Sequence, residues 1–447
     1  MAEPVQIDTD YVVVGAGAMG MAFTDALVDH SSATVTIVDR REAPGGHWRD
    51  AYPFVRLHQA SSFYGVASTP FGGQVQQSGP EAGLHERATV VEICDYYDAA
   101  LQRLTTTGQV TFHPRTELAE VEVADHTRVV DATYLAPTIP ATTPAPFEVG
   151  DGARVIAVHE LPEHTGAGEY VVVGSGKTAT DAIVWLLGGG LDPERICWVR
   201  PRDPWMLDRA AVQPDPAVFL GMVADVMAAA APAHDLGDFF LRLEDAGVMI
   251  RVDRDVTPTM AKAPTLATWE LDLLRTIGRV VRRGHVRRAD PGLLHLDGGD
   301  EPVAPDAVVV HCAASGLQNP PLVPIWQPDA IRLQLVRAGF PCFNAALAGY
   351  VEATRSGDAA KNVLCPPTPY GDSLALWAGS FLLGTRATQA FNAEPDVKEW
   401  ANGVGLNPAR IPEERAPDAD VVAAQQRLAA SLPDGLTALA RLTAGVD

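Results

Sequence analysis

The chain has 447 residues, a formal net charge of -22, and a composition of 47% hydrophobic and 20% charged residues. A chain of this length exceeds the size at which one hydrophobic core stops growing, so we expect two or three domains. The acidic balance opposes binding to nucleic acid or to an anionic membrane, because both attract positively charged surfaces. An anionic cofactor must therefore be held by local donors.

The cysteines and the pattern of apolar residues indicate the cellular compartment of the protein. The five cysteines are scattered and form no CxxC pair, which excludes a redox-active dithiol and predicts a reducing environment. The N-terminal stretch lacks the apolar core of a signal peptide, and no apolar run approaches the length of a membrane span. We therefore expect a cytoplasmic protein, and we assign no metal ligands to it.

The first predicted unit is a strand, a glycine turn, a helix and a second strand between Tyr11 and Asp39. An apolar β-branched run ends at the turn, whose glycines are Gly15, Gly17 and Gly20. The first glycine permits a tight turn, the second lets backbone approach a pyrophosphate, and the third lets the helix pack close to the strand. Asp39 ends the second strand, where a carboxylate can accept hydrogen bonds from ribose hydroxyls. The unit predicts a dinucleotide site with the pyrophosphate at the helix N-terminus. A glycine-rich turn without a ligand is the alternative.

The loop after this unit combines glycines with aromatic and basic residues. It holds Arg40, then Gly45-Gly46-His47-Trp48, then Tyr52-Pro53 and Arg56-Leu57-His58-Gln59. This order resembles the FAD domain of the class B flavoprotein monooxygenases, which include the flavin-containing and the Baeyer-Villiger monooxygenases. The resemblance implies that the loop runs along an FAD, near Arg40, Gly46, Trp48, Arg56, Leu57, His58 and Gln59. On composition alone, the aromatic residues belong to the core and His58 is a satisfied polar residue.

A helix, several strands and a proline-rich linker are predicted next. Apolar residues at helical spacing predict a helix over 88–108, with strands around 110–113, 119–123 and 128–134. The stretch that ends at Tyr134 resembles the Ala-Thr-Gly motif that links the two dinucleotide domains of this family, with tyrosine in place of the glycine. Its proline content also indicates a linker.

A second glycine unit begins at Tyr170. Its strand is followed by Gly174, Ser175, Gly176, Lys177 and Thr178, then by a helix at 182–187 and a strand at 195–199. Ala179 stands in for the third glycine, which the fingerprint tolerates. The second strand ends in Arg200, with Arg202 close by, where the first unit has an acid. A planar guanidinium suits a ribose 2′-phosphate that an acid would repel, so we expect NADPH rather than NADH.

The second glycine unit has two alternative interpretations. One is that Arg200 and Arg202 are ordinary surface charges. The other is that the unit is a P-loop for nucleotide hydrolysis, but that motif requires a glycine where Val171 stands.

The remaining chain gives weaker signals. Residues 205–270 are interpreted as a helical insertion, and the five arginines at 279–288 are either a solvated helix end or a contact to a cofactor phosphate. A hairpin is predicted at 294–303. The strand and small-residue turn at 306–316, which includes Ser315 as a cofactor contact, resembles the strand that returns the chain to the FAD domain in this family. Cys342 is expected to be a buried apolar residue, and the helical tail at 395–447 a lid or a dimer contact.

These elements predict an α/β protein with two Rossmann-like dinucleotide-binding domains, the three-layer FAD/NAD(P)-binding fold. The FAD domain is expected to comprise residues 1–145 and 305–390. The NADPH domain is expected at 146–304, with the helical insertion inside it, and a helical C-terminal tail at 391–447.

The resemblance also implies a reaction. A flavin and a nicotinamide in one chain allow hydride transfer from NADPH to FAD. In this family the reduced flavin then reacts with molecular oxygen to form a C4a-hydroperoxyflavin. His58 and Gln59 are the expected catalytic residues, because the site must exclude water and control protons. The Leu-His pair, as in plant-type flavin-containing monooxygenases, favours oxygenation of a nitrogen or sulfur centre of a small molecule.

One departure from the family keeps other hypotheses open. The fingerprint Phe-x-Gly-x-x-x-His finds its best match at His159, yet Ala153 and Val155 occupy the phenylalanine and glycine positions. The second hypothesis is therefore an NADPH:acceptor oxidoreductase that reduces a quinone-like or imine substrate without oxygen insertion. The third is a non-catalytic flavin-binding sensor.

Overall fold

A five-stranded parallel sheet forms the first domain of the computed structural model, which describes residues 5–313 and 316–444. Its strands lie in the spatial order Val110–Pro114, Val35–Asp39, Tyr11–Val14, Arg128–Asp131 and Ile331–Arg332. The first strand in sequence is central and later strands are added on both sides, which is the order of a dinucleotide-binding sheet. Helices Ala18–Asp29, Val90–Thr106 and Pro341–Thr354 belong to this domain.

The first and last of these helices pack in close contact. A Cβ atom at Gly349 would overlap the carbonyl oxygen of Phe23, so the two backbones approach at a distance that only glycine permits. The helix Val90–Thr106 begins with a capping box, in which the Thr89 and Glu92 side chains each accept from the other residue's backbone N–H.

A second five-stranded parallel sheet repeats this arrangement. Its spatial order is Val280–Val281, Ile196–Val199, Tyr170–Val173, Val308–His311 and Arg154–Ala157. The strand that precedes the second glycine turn is again central, and helix Lys177–Gly188 follows the turn. The structure therefore confirms the prediction of an α/β protein with two Rossmann-like domains.

Smaller sheets surround the two domains. A two-stranded sheet pairs Val5–Ile7 with Val121–Val123, and a three-stranded sheet has the order Met249–Ile250, Pro204–Asp208 and Met260–Leu266. A four-stranded sheet has the order Gly299–Pro302, Leu293–Leu296, Val286–Asp290 and Glu148–Val149. In this sheet, Leu293–Leu296 and Gly299–Pro302 are antiparallel neighbours, which confirms the hairpin predicted at 294–303.

The insertion and the tail pack on one another. The insertion carries helices Pro216–Ala230, Leu236–Asp245 and Thr268–Leu274, and the C-terminal region carries Asp358–Leu364, Leu374–Asn392, Pro395–Gly403 and Ala419–Leu442. Gly435 of the last helix lies directly on the backbone of Met227, where a Cβ atom would be 2.8 Å from the Met227 Cα. Arg427 forms an ion pair with Asp225. The last helix of the predicted tail is thus bound along the insertion.

One strand lies in a different sheet from the one predicted. The sequence places the segment 306–316 in the returning part of the first domain, but Val308–His311 pairs with Tyr170–Val173 and Arg154–Ala157 in the second sheet. The chain re-enters the first sheet only at Ile331–Arg332. A buried valine run fits the centre of either sheet, so its local pattern could not decide between them.

Two further segments differ from their predictions. The arginine-rich segment 279–288 is no helix end, because Val280–Val281 and Val286–Asp290 are strands. The insertion contains the predicted helices but also the three-stranded sheet. Its strand Met260–Leu266 includes Lys262 and Pro264, which sequence patterns rarely place in a strand. Within the described ranges, no helix combines the length and apolar composition that a bilayer crossing needs.

Candidate cofactor site and domain interface

The first glycine turn has the geometry that its sequence predicts. Gly15 has φ of 102°, in the left-handed region, and its N–H donates to the carbonyl of Val38 at 2.8 Å. A Cβ atom at Gly20 would overlap the Gly15 carbonyl oxygen, so the helix packs on the turn as only glycine permits. Gly17 precedes helix Ala18–Asp29, whose first turn has neither a side-chain cap nor an acidic residue. Its free N–H groups are therefore available to an anion.

Asp39 is fixed at the same turn. Its side chain is buried, with Oδ2 accepting from the Ala16 N–H at 2.7 Å and Oδ1 accepting from the Arg41 N–H at 2.8 Å. Each carboxylate oxygen has a further lone pair, so both can still accept from ribose hydroxyls. The neighbouring Arg40 is exposed.

The glycine loop lies against the glycine turn. The Gly45 N–H donates to the carbonyl of Ala16 at 2.8 Å, and a Cβ atom at Gly46 would lie 3.0 Å from the Gly17 Cα. The loop therefore forms a wall of the same site. Trp48 is buried, and its Nε1 donates to the hydroxyl of Tyr64 at 2.5 Å, so its indole is part of the core beside that wall.

The segment 52–59 lies at the interface of the two domains. The Tyr52 hydroxyl donates to Asp181 Oδ2 at 2.7 Å, and the ring of Phe54 stacks on Trp185 with centroids 4.9 Å apart. Both partners belong to helix Lys177–Gly188. The insertion contributes Thr265, whose hydroxyl donates to the carbonyl of His58. The segment, which belongs to the first domain, thus contacts the helix of the second glycine unit and the insertion.

The candidate catalytic residues are in this segment. His58 is partly exposed, and desolvation lowers its pKa to about 4, with Lys177 and Arg87 acting in the same direction and Asp181 opposing them. Its imidazole is therefore neutral at pH 7 and can donate or accept one proton. Gln59 is partly exposed beside it.

The flanking cofactor candidates differ in burial. Leu57 is buried, and its N–H donates to the carbonyl of Ala88 at 2.9 Å. Arg56 is exposed, and its Nη1 donates to the Arg87 carbonyl at 3.0 Å.

The second glycine turn is open in front of its helix. Gly174 has φ of 138°, and its N–H donates to the carbonyl of Val199 at 3.0 Å. Among the described residues, no atom beyond the adjoining backbone lies within 4 Å of where a Cβ atom of Gly176 would be. The first turn of helix Lys177–Gly188 again lacks a side-chain cap and an acidic residue. Ser175 and Thr178 are partly exposed at the turn, and Ser315 lies outside the described residues.

A buried ionic network joins the two domains. It consists of three cations and three carboxylates, namely Arg87, Lys177, Arg209, Glu81, Asp181 and Glu270. Lys177 pairs with Asp181 and lies 3.0 Å from Glu270, and Arg87 lies 3.5 Å from Glu270. Glu81 pairs with both arginines. The ammonium group that the sequence assigns to a cofactor is therefore bound to carboxylates of the interface.

Sequence reasoning missed most of this network. Its members come from four distant parts of the chain, and no local motif marks Glu81, Arg87, Arg209 or Glu270. The ion-pair partner of a charged residue can be identified only when the fold is known.

Arg200 and Arg202 have different environments. Arg200 is 2% exposed, stacks over the Trp198 ring at 4.5 Å and pairs with Asp203. Its Nε is buried and has no hydrogen-bond partner among the described residues, and burial lowers the pKa of this guanidinium to about 10. Arg202 is exposed and lies 3.2 Å from Asp372. Arg200 therefore keeps one N–H donor without a partner among the described residues, buried at the end of its strand.

Arg282 joins Arg200 through a shared carboxylate. Its Nε lies 3.0 Å from Asp203 Oδ2, and its Nη2 lies 2.7 Å from Asp253. Arg200 and Arg282 follow the ends of two neighbouring parallel strands, which brings them to one edge of the sheet. Among the five arginines at 279–288, Arg282 is thus the one that shares a carboxylate with Arg200.

The cysteines are isolated thiols. All five are free, and four are buried. Desolvation raises the pKa of each, to about 12 for Cys197 and Cys342. Cys342 is buried, as the sequence predicts. Neutral thiols are poor nucleophiles for disulfide exchange.

Two parallel sheets of dinucleotide-binding order, each with a glycine turn at the end of its central strand, define a two-dinucleotide-domain α/β protein. Residues 13–59 match a family model described as an NAD(P)-binding Rossmann-like domain. The chain is 41% identical over 417 residues to the uncharacterized protein Rv2000 of Mycobacterium tuberculosis and to Mb2023 of Mycobacterium bovis. These alignments cover 90% of this chain and 78% of each relative. The chain belongs to the family of these mycobacterial proteins.

Three solved structures are similar at a lower level, each with a TM-score of 0.44. The S-allyl-L-cysteine S-oxygenase of Allium sativum is 14% identical, with 99% of both chains covered. The cyclohexanone monooxygenase of Rhodococcus sp. Phi1 bound to NADP+ is also 14% identical, over 97% of this chain and 98% of that one. The bacillithiol disulfide reductase of Staphylococcus aureus is 10% identical, over 78% and 97%. The assignment of the fold rests on the strand order described above.

Proposed function

We propose that this chain is a cytoplasmic, FAD-dependent and NADPH-using monooxygenase that transfers oxygen to a nitrogen or sulfur centre of a small molecule. The observation that carries the proposal is the pair of glycine turns in one chain, the first beside the carboxylate of Asp39 and the second on the side of the Arg200 guanidinium. A carboxylate suits free ribose hydroxyls and a guanidinium suits a ribose phosphate.

The first turn is the proposed FAD site. Gly15, Gly17 and Gly20 give the cradle, Gly46 its wall, and Asp39 the acceptor for the ribose. The residues fit a dinucleotide, because an uncapped helix N-terminus faces the position of the pyrophosphate. A bound flavin would accept a hydride and react with oxygen.

The second turn is the proposed NADPH site. The part of the chain that the structure describes leaves room for a pyrophosphate at Gly176 and offers the Arg200 Nε no hydrogen-bond partner. Arg282 adds a second guanidinium at the same edge. We therefore assign the ribose phosphate to Arg200 and Arg282, and not to the predicted Arg202, whose guanidinium is exposed and bound to Asp372.

His58 is the proposed proton-handling residue between the two sites. Its neutral imidazole can hold a proton near the reacting atoms, and Thr265 fixes its backbone from the insertion. The side chains of Leu57 and Ala60, which flank His58 and Gln59 in sequence, are buried and limit the access of water to this pair. Exclusion of water is what an oxygenating site requires.

The second candidate is an NADPH:acceptor oxidoreductase without oxygen insertion. The replacement of the family fingerprint at Ala153 and Val155 favours it. The five neutral thiols speak against a disulfide as the acceptor.

The oxygen dependence of NADPH oxidation separates the two candidates. We expect flavin-loaded protein to oxidise NADPH at least about tenfold faster in air than under argon, because oxygen is the acceptor in the proposed reaction. The measurement is the loss of NADPH absorbance, with and without a quinone and an imine. A rate under argon that equals the rate in air once quinone or imine is added would establish the oxidoreductase instead.

Arg200→Ala tests the coenzyme assignment. We expect the KM for NADPH to rise about 10- to 100-fold while the KM for NADH changes little, since the variant loses a charge-assisted contact to the 2′-phosphate. Arg202→Ala is the matched control, because Arg202 is exposed and bound to Asp372. Flavin content should be unchanged in both variants. An equal loss with NADPH and NADH would remove Arg200 from the phosphate site.

A further inference from the structure

One of the buried cations in the described ranges has no carboxylate partner. The positively charged side chains that are less than 9% exposed are Arg87, Lys177, Arg200, Arg209, Arg337 and Lys361. Five of them form ion pairs with aspartate or glutamate. Arg337 is 8% exposed, and the described residues offer it no carboxylate within ion-pair distance, although the chain holds 56 acidic residues.

Aromatic rings and one amide surround the Arg337 guanidinium. Its Cζ lies 5.6 Å from the ring centroid of Phe219 and 5.8 Å from that of Phe343. Its Nη1 donates to Asn407 Oδ1 at 2.9 Å. A guanidinium has five N–H donors in a planar fork, so this bond uses a small part of its capacity. Burial lowers its pKa to about 10, which leaves it protonated at pH 7.

The backbone holds Arg337 firmly in this position. Its N–H donates to Asn344 Oδ1 at 3.0 Å, and a Cβ atom at Gly384 would lie 2.6 Å from the Ala338 nitrogen. A cation buried without an opposite charge costs free energy. Contacts from three separate helices nevertheless hold Arg337 in this destabilising position. Natural proteins keep such destabilising groups where their function requires them.

Aromatic rings connect Arg337 to the short helix that follows the proposed active-site segment. The Phe219 ring is 6.5 Å from that of Phe63 and 5.7 Å from that of Phe340. Phe63 follows Gln59 closely in sequence and sits in the short helix Ser61–Phe63. Phe219 comes from the insertion, so the rings join the insertion to the first domain beside this guanidinium.

We propose that Arg337 is an anion-binding residue that receives a carboxylate of the small-molecule ligand, with the phenylalanine rings beside the apolar part of that ligand. A planar fork of N–H donors matches a carboxylate in geometry and charge. The identification of this ligand as the substrate rests on the proposed function. The anion site itself does not.

Benzoate and benzamide are matched probes for this site, because they share a ring and differ in charge. Each is titrated into the full-length purified protein, with tryptophan fluorescence and the thermal midpoint as readouts. We expect benzoate to bind the wild type at least about tenfold more tightly than benzamide, and this difference to vanish in Arg337→Met. Arg337→Lys should retain part of it. Equal responses to the two probes, or an unchanged preference in Arg337→Met, would overturn the proposal.

Stability separates an anion site from a structural arginine. Arg337→Met should have a thermal midpoint equal to or above that of the wild type, since it removes an uncompensated buried charge. Arg209→Met is the matched control, because Arg209 is also buried but binds Glu81 at 2.9 Å. That variant should melt several degrees lower. A comparable loss in Arg337→Met would show a structural role and contradict the proposal.

A reduced flavin is another source of negative charge in the proposed enzyme. If Arg337 served it, Arg337→Met would lower the flavin reduction potential and leave the preference for benzoate intact, which would overturn the carboxylate assignment. The benzoate titration needs neither NADPH nor turnover. A protein that fails the oxygen test can therefore still pass this one.

Discussion

Gly20→Ala is expected to remove flavin binding and to destabilise the protein. The added methyl group would overlap the Gly15 carbonyl oxygen and lie 3.2 Å from the Ala132 side chain, so helix Ala18–Asp29 must move away from the turn. Such overpacking costs on the order of 1–3 kcal/mol or more. It also displaces the N–H groups that would hold the pyrophosphate. The measurements are the ratio of flavin to protein absorbance after reconstitution with excess FAD and the thermal midpoint.

Gly176→Ala is the matched control for that variant. Gly176 has φ of -86°, and the described residues leave open space around the added methyl group, so the fold and the flavin content should be retained. The methyl group would instead occupy the proposed place of the NADPH pyrophosphate and weaken NADPH binding by about tenfold or more. A Gly20→Ala protein that is as yellow and as stable as the wild type would contradict the described geometry of the first turn.

Glu270→Ala is expected to destabilise the protein by about 3–5 kcal/mol, because it breaks a buried ion pair by removing one partner. Glu270 accepts from Lys177 at 3.0 Å and from the Ala267 N–H at 2.8 Å, and Arg87 lies 3.5 Å away. The variant leaves the network with three cations and two carboxylates. Urea denaturation at pH 7 measures the change in the free energy of unfolding.

Glu148→Ala is the control for this prediction. Glu148 is 78% exposed and lies 3.4 Å from Arg288, so its loss should change the free energy of unfolding by about 0–1 kcal/mol. An effect of Glu270→Ala no larger than this would show that the network contributes little to stability.

The same carboxylate predicts a dependence on pH. Lys177 and Arg87 hold the pKa of Glu270 at about 2, against its burial and below its ordinary value of 4.5. Because the folded pKa is the lower one, the contribution to stability is complete above pH 4.5 and is lost as the pH falls towards 2. The wild type should therefore lose more stability than Glu270→Gln between these values.

Both glycine units could be predicted from sequence because their signals are local. A valine run, a glycine turn and a helix occupy consecutive positions, and the predicted helix at 88–108 corresponds to Val90–Thr106. Asp39 and Arg200 follow from their place at the end of the second strand of each unit. The structure then shows where each side chain lies, with Asp39 bound to the turn and Arg200 buried under Asp203.

Features that depend on long-range pairing could not be predicted. Val308–His311 has the composition of a central strand in either sheet, and only its neighbours identify the second one. Arg282 reaches Arg200 because their strands are adjacent in space, although 82 positions separate them. The lack of a carboxylate partner for Arg337 among the described residues depends on which elements surround it, and no sequence pattern carries that information.

The close contact between Gly435 and Met227 has a practical consequence for handling the protein. Removing residues from 419 onward would strip the cover from helix Pro216–Ala230 and expose an apolar surface to water, which promotes aggregation. Shortened versions should therefore keep the whole of Ala419–Leu442. Affinity tags and fluorescent fusions are better attached before the first strand than spliced into this pair of helices.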